Sequence, residues 1–220
     1  MLPIYLKDQD FTPPDDPIYY LLSRDGLFLV KRTPFFEATV PAPGIPWLQS
    51  QGTRVRIHAP ALPAGLLLQC LAFFRAVYQR HRSEAVVLLG WREATRDYEL
   101  VVPHQTVGGG HCDYEIKEFP AGLVRLGTIH SHAGVEAFHS ERDINDERFE
   151  DGFHFTVGNI DGDITLSCAV VVQGYRGQLP PEQMFSPYPI PWEAAPAPEG
   201  WDQTVDQKVT PLPRPIEFGT

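Results

Sequence analysis

The sequence predicts an α/β fold in which helices flank one mixed sheet, preceded by strands and followed by a proline-rich C-terminal arm. Apolar residues recur at helical spacing from Leu67 to His81, and several short β-prone runs come after them. The 22 prolines divide the chain unevenly, with eight in residues 1–52, four in 53–178 and ten in 179–220. Because proline disrupts helix interiors and central strands, we expect 53–178 to form the main domain.

Residues 1–52 are predicted to form a β-rich extension. Two β-prone runs, 18–22 and 27–32, are separated by the sequence Ser-Arg-Asp-Gly. Asp-Gly between two such runs indicates a β-hairpin. The proline-rich residues 41–46 indicate a linker.

The middle segment is predicted to begin with a helix, because Pro63 suits its first turn. A polar helix is predicted later in the segment, at 140–151, and residues 107–111 are predicted to be a glycine-rich loop. The remaining elements are predicted strands, and they span 84–90, 98–102, 123–132, 153–158 and 164–172.

Residues 179–220 are predicted to be an extended arm. The segment retains large apolar side chains, among them Phe185, Ile190 and Trp201, whereas disordered segments are usually poor in aromatic residues. We therefore expect the arm to pack on the domain or on a partner. The alternative is a flexible tail with chance aromatic residues.

Composition argues against several classes of protein. The net charge is −10 and no basic run is present, which disfavours binding to nucleic acid. No apolar stretch approaches the ~20 residues of a membrane-spanning helix, so no membrane partner is expected. Three widely spaced cysteines form no disulfide framework. The sequence thus predicts a soluble cytoplasmic protein.

The residues that most clearly indicate a chemical function lie between 130 and 143. His130 and His132 are at i and i+2 near the end of a predicted strand, so both rings leave on one face. Ser140 begins a predicted helix, and Asp143 follows in its first turn. Two histidines and one carboxylate that leave one open position are typical of a catalytic zinc site.

Glu84 is the candidate base. It opens the predicted strand 84–90 and is the charged residue in that apolar run. A buried carboxylate needs a partner, and a water activated by zinc is one. Glutamate is also a usual proton shuttle in hydrolases.

The set Glu84, His130-Ser-His132, Ser140 and Asp143 resembles the JAMM signature of the MPN-plus (Mov34/JAB) metalloproteases, over roughly residues 53–178. Gly90 also matches. The stretch Gly-Thr-Ile-His-Ser-His, with the following Ala-Phe-His-Ser and Asp-Ile-Asn-Asp-Glu, is similar to the bacterial branch. Within that branch it resembles the PRTRC group, whose neighbours are ParB-related and ThiF-related.

The resemblance implies a cytidine-deaminase-like JAB/MPN fold and hydrolysis of a peptide or isopeptide bond, often at the C-terminus of a ubiquitin-like protein. It implies that His130, His132 and Asp143 bind Zn²⁺ and that Glu84 is the general base and acid. Ser140 would hydrogen-bond the substrate carbonyl and its oxyanion. Implied partners are a ubiquitin-like protein or its conjugates and an E1/ThiF-like enzyme.

Two residues depart from the family pattern. Ala133 stands where proline usually follows the second histidine, and Val87 stands where the family often has glycine. Neither position supplies a ligand. The first change is expected to loosen the loop, and the second bears on packing.

Other interpretations stay open at this point. The chain could be a non-catalytic MPN-type scaffold or a DNA-associated, RadC-like protein, although every ligand type is present and the net charge is negative. Ser140 and Asp143 also fit a helix capping box, a role compatible with the metal site. His139 is a weak candidate for a fourth ligand, and the pair His111 and Cys112 weakly indicates another metal site.

Overall fold

The structure is a computed structural model that describes residues 1–110, 112–116 and 119–212. The chain divides into two compact units, Met1–Arg56 and Ile57–Thr220. The proposed metal ligands lie in the second unit. Within the described part of the chain, no helix has both the length and the apolar character that a membrane crossing requires.

The N-terminal unit is a four-stranded sheet in the order β1-β2-β3-β4. β1 is parallel to β2, and the other neighbours are antiparallel. The predicted hairpin is confirmed, because β2 and β3 pair up to Ser23 and Gly26. Gly26 has a φ of +123°, which glycine adopts without steric cost. The strands are β1 Ile4–Leu6, β2 Ile18–Ser23, β3 Gly26–Arg32 and β4 Glu37–Pro41.

The second unit contains four α-helices and eleven strands among its described residues. In its first half they are β5 Leu62–Pro63, α1 Ala64–His81, β6 Val86–Arg92, β7 Asp97–Val101, β8 His104–Val107, β9 Cys112–Glu115 and β10 Leu123–Ser131. In its second half they are α2 Glu141–Glu147, β11 Gly152–Gly158, β12 Thr165–Val172, β13 Tyr175–Gln178, α3 Pro181–Met184, β14 Phe185–Ser186, α4 Asp202–Lys208 and β15 Val209–Pro211. Short 3₁₀ turns lie at Trp192–Ala194 and Pro198–Trp201.

The main sheet has six strands in the order β13-β12-β11-β10-β6-β7. β10 and β11 are parallel, whereas the other neighbours are antiparallel. The predicted mixed α/β architecture is thus confirmed. β10 is an inner strand of this sheet, so the end that carries His130 is held on both sides.

The core of this unit lies between α1 and the sheet. Apolar residues of α1, such as Leu71 and Phe74, share one buried cluster with Val87, Ile129 and Phe155 from three neighbouring strands. The helical spacing in the sequence explains this arrangement, because it places these α1 side chains on one face. Cys70 also lies in the cluster and is 1% exposed.

Short elements near the cavity differ from the prediction. The glycines 108–110 lie in a loop as predicted, but the strands on either side of them, β8 and β9, were not predicted, and the two strands pair. Both are short and polar, so they lack the apolar alternation that signals a strand. The polar helix predicted at 140–151 ends at Glu147, where the N–H of Glu150 bonds to the Glu147 carbonyl in a tight turn.

The described part of the proline-rich segment, 179–212, belongs to the second unit. It contains α3 and α4, whereas the sequence predicts an extended arm. Pro181 occupies the first turn of α3, where proline is tolerated, and α4 contains no proline. Phe185 is buried, and the Trp201 ring lies 5.4 Å from the ring of Phe73 in α1. Residues 213–220 lie outside the described residues.

Candidate metal centre

The end of β10 brings the two predicted histidine ligands together. His130 is the penultimate residue of β10, opposite Thr156 of β11 and Val86 of β6. His132 follows the strand, and its N–H bonds to the carbonyl of Val157 at 2.9 Å. The Nε2 atoms of the two rings are 3.3 Å apart, so both rings face the same point.

Asp143 reaches this point from the first turn of α2. Its Oδ2 lies 3.2 Å from His132 Nε2, and its Oδ1 lies 3.5 Å from His130 Nε2. Ser140 is the N-cap: its hydroxyl oxygen accepts a hydrogen bond from the Asp143 N–H, and the Asp143 carboxylate accepts one from the Ser140 N–H. The predicted capping box is present and fixes the carboxylate beside the histidines.

The donor set fits a tetrahedral zinc ion. The ligand atoms of His130, His132 and Asp143 all lie within 4.8 Å of one another, and the contacts given above are 3.2–3.5 Å. Two ligands ~2.0–2.1 Å from a tetrahedral zinc are separated by ~3.3–3.4 Å. Without a proton or cation between them, three such lone-pair atoms repel one another.

Electrostatics also favour a cation at this point. Burial alone raises the pKa of Asp143, but hydrogen bonds from both histidines and from Ser140 hold it well below its usual range. Burial lowers the pKa of His132, but the hydrogen bond to Asp143 and the charge of Glu84 outweigh that effect and raise it. The histidines are thus surrounded by negative charge.

The ligand atoms lie at the wall of a cavity of about 670 Å³, a size typical of ligand sites. Glu84 and Ser140 line the same cavity. Glu84 lies two residues before β6 and does not open the strand as predicted. The Ala85 N–H bonds to the Ser131 hydroxyl and the Ala85 carbonyl accepts the Ser131 N–H, so contact with β10 continues past Val86 to the residue next to Glu84.

The loop after His132 is tightly held, contrary to the expectation from Ala133. Ala133 has a φ of +46°, a conformation closed to proline because the ring fixes φ near −65°. Its carbonyl accepts a hydrogen bond from Ile160. A Cβ at Gly158 would lie 2.2 Å from the N of Ala137, so glycine is required where this loop crosses β11.

Side chains behind the histidines were not identified from the sequence. Glu147 at the end of α2 pairs with Arg176 of β13 and lies 3.3 Å from His154 Nδ1. Thr156 Oγ1 lies 3.3 Å from His130 Nε2. One signal for Glu147 was available, because Asp143 and Glu147 are four residues apart and share a helix face.

The weaker metal candidates from the sequence were His139 and the pair His111 and Cys112. His139 Nδ1 lies 3.3 Å from Thr156 Oγ1, and burial and Arg176 lower its pKa to about 4. His139 is outside the group of three converging ligands. The Cys112 thiol donates to Gln105 Oε1 at 3.1 Å, and burial raises its pKa to about 12. His111 lies outside the described residues.

No family model and no curated protein matches the chain. Among solved structures, a JAB1/MPN domain protein from Archaeoglobus fulgidus is similar, with 23% identity over 56% of this chain and 96% of its own, and a TM-score of 0.36. The structure of a JAMM metalloprotease-like zinc site in the proteasome and signalosome is 20% identical over 54% of this chain and 93% of its own, with a TM-score of 0.34.

A protein from Desulfitobacterium hafniense is 16% identical over 54% of this chain and 88% of its own, with a TM-score of 0.35. Because the identities are below 25% and the TM-scores are low, the function proposed below rests on the side chains of this chain itself.

Proposed function

We propose that this protein is a zinc-dependent metallopeptidase of the JAMM type that hydrolyses a peptide or isopeptide bond. The observation that carries the proposal is the convergence of His130, His132 and Asp143, with contacts of 3.2–3.5 Å between their ligand atoms. Three protein ligands leave a tetrahedral zinc one position for water or substrate, as in catalytic sites. A zinc ion held by these residues would supply Lewis-acid chemistry, which makes water easier to deprotonate and therefore a better nucleophile at neutral pH.

Glu84 is the proposed proton carrier. The residue lines the cavity, and its charge contributes to the raised pKa of His132. Glu84 takes a proton from the attacking water and delivers it to the leaving amine, a contribution typically worth ~10²–10⁴-fold in rate. Its backbone is fixed next to Ala85, whose N–H and carbonyl both bond to Ser131.

Ser140 is the proposed oxyanion donor. Its oxygen accepts the Asp143 N–H at 3.2 Å, which leaves the hydroxyl hydrogen as a donor. The residue lines the cavity beside the ligands. A hydroxyl fixed in this way stabilises the negative charge that develops on the substrate carbonyl oxygen.

The proposed substrate is a ubiquitin-like protein, or a conjugate of one, cleaved at its C-terminus, with an E1/ThiF-like enzyme as a functional partner. The resemblance of residues 127–147 to the bacterial JAMM branch supports this choice. The shape of the site supports an extended substrate, because among the described residues β9 is an edge strand of the three-stranded sheet β15-β8-β9 and lines the cavity. An extended chain can add to such an edge.

Two measurements test the proposal. Elemental analysis of protein purified without chelator is expected to give one zinc per chain, and the double variant His130→Ala, His132→Ala is expected to give none. Hydrolysis is then measured on a ubiquitin-like protein joined to a lysine side chain and on the corresponding linear fusion. Zinc retained by the double variant contradicts the ligand assignment, and bound zinc without cleavage of either substrate favours a non-catalytic scaffold.

A further inference from the structure

A buried carboxylate lies directly behind one of the proposed zinc ligands. Glu147, the last residue of α2, is 6% exposed. Its Oε2 pairs with Arg176 Nη2. Its Oε1 lies 3.3 Å from His154 Nδ1 and 3.8 Å from His130 Nδ1. One oxygen is therefore anchored, and the other faces two imidazole rings.

This placement of Glu147 is costly. A carboxylate loses hydration free energy when it is buried, and a negative charge at a helix C-terminus is opposed by the helix dipole. Arg176 offsets part of that cost, but an apolar pair at the same positions would avoid it altogether. The arrangement therefore calls for a function beyond stability.

The two ring nitrogens of His130 have different surroundings. Nε2 faces His132 Nε2 and Asp143 Oδ1, whereas Nδ1 faces Glu147. A histidine that binds a metal through one nitrogen usually donates the other N–H to a carboxylate or a backbone carbonyl, which fixes the tautomer. His132 has such a hydrogen bond to the backbone of Glu136. For His130 the corresponding carboxylate is that of Glu147: its Oε1 lies 3.8 Å from Nδ1, and this distance must shorten by ~0.6 Å or more to become a hydrogen bond.

We propose that Glu147 is a positioning residue that keeps the proton of His130 on Nδ1 and thereby leaves the Nε2 lone pair directed at the metal. Arg176 orients the carboxylate, and Glu147 itself does not touch the substrate. This inference rests on the proposed function, since it requires the centre formed by His130, His132 and Asp143.

The substitution Glu147→Gln tests the proposal because it keeps the size and shape of the side chain but removes its negative charge. The cationic Arg176 attracts the amide oxygen, so the amide NH₂ is turned towards His130. A hydrogen-bond donor beside Nδ1 favours the His130 tautomer with the proton on Nε2, and a protonated Nε2 cannot bind zinc. We expect zinc affinity to fall about 10–100-fold, measured on the full-length chain by competition with a chromophoric chelator.

Glu150→Gln is the matched control. Glu150 lines the same cavity and pairs with an arginine, Arg125, as Glu147 pairs with Arg176. The contacts of its side chain are with Arg125 and Tyr114, and they do not include a proposed ligand. We expect this variant to bind zinc like the wild type.

A spectroscopic measurement separates positioning from a purely structural role. In zinc-loaded, ¹⁵N-labelled wild type, we expect the His130 ring to carry its proton on Nδ1. In Glu147→Gln that resonance should shift or disappear, while that of His132 stays in place. If Glu147→Gln does not fold, Glu147→Asp is used instead, because it keeps the charge but withdraws it by one methylene. Its zinc affinity should still be lower than that of the wild type, and an equal affinity would exclude the positioning role.

Three outcomes overturn the inference. Equal zinc affinities of folded Glu147→Gln and wild type exclude the positioning role and leave the proposed function intact. Equal losses in Glu147→Gln and Glu150→Gln assign the effect to the general charge of the cavity. A wild type that binds no zinc overturns the metal centre itself, and the inference with it.

Discussion

The core under α1 and the corner at the end of β10 both contain buried side chains, but these side chains are of opposite types. Under α1, side chains such as Leu71 and Phe74 are 0% exposed and pack on apolar strands. Each such burial contributes about 1.5–3 kcal/mol to stability. At the corner the buried side chains include Glu147, His154 and Thr156, and they are held by hydrogen bonds and ion pairs.

The difference shows which region stabilises the fold and which one serves the site. Burial of apolar side chains is favourable in itself, whereas buried charges rarely stabilise a protein more than apolar replacements of the same shape do. Substitutions under α1 should therefore lower the free energy of unfolding. Substitutions at the corner that leave no buried charge unpaired should instead alter zinc binding and catalysis.

The largest expected effect is that of Asp143→Ala, which removes a proposed zinc ligand. We expect loss of bound zinc and of all hydrolysis. The free energy of unfolding of the metal-free protein should fall by about 1.5–3 kcal/mol, because the charged acceptor of the Ser140 N–H is lost while the Ser140 cap remains. Elemental analysis and chemical denaturation measure the two quantities.

Asp146→Ala is the control for Asp143→Ala, because Asp146 lies on the same helix and lines the cavity with a side chain that is 71% exposed. It should keep zinc. If Asp143→Ala unfolds the metal-free protein, the corner is a stabilising region after all and the comparison fails.

The second effect is that of Glu84→Gln, which keeps the size of the side chain but cannot take a proton. We expect normal folding, full zinc content and a rate that is lower by ~10²–10⁴-fold. A zinc-free variant would place Glu84 among the ligands. A variant with near-normal turnover would remove it from the mechanism.

The parts of the site that are local in sequence were predictable. The strand period placed His130 and His132 on one face, and the Ser140–Asp143 spacing predicted the capping box. The apolar periodicity of α1 likewise predicted the buried face of that helix. In each of these cases a few neighbouring residues determine the structure.

The parts that depend on distant pairing were not predictable. Thr156 lies beside His130 because β10 and β11 pair in one particular register, and Arg176 reaches Glu147 from β13, two strands further along the sheet. The effect of alanine in place of proline at position 133 was also predicted wrongly. The sequence suggested a looser loop, but the positive φ of Ala133, which proline cannot adopt, is set only when the loop folds over β11.

The third effect lies in the apolar core. Phe74→Ala should lower the free energy of unfolding by about 3–5 kcal/mol, because it removes a fully buried ring and leaves a cavity. Gln69→Ala, on the exposed face of α1, should change stability little. At a temperature where Phe74→Ala is folded, its zinc affinity should match that of the wild type. A specific loss of zinc affinity would show that the two regions are coupled.

The fourth effect is expected at Ser140, where capping and catalysis share one hydroxyl. Ser140→Ala and Ser140→Gly both remove the proposed oxyanion donor, so both should lose ~10²–10³-fold in turnover number. They should differ in stability: alanine at an N-cap costs about 1 kcal/mol, whereas glycine costs only a few tenths. Turnover and chemical denaturation of the two variants separate the roles. Near-normal turnover in Ser140→Gly, with a loss confined to Ser140→Ala, would make Ser140 a helix cap alone and would leave the oxyanion without this donor.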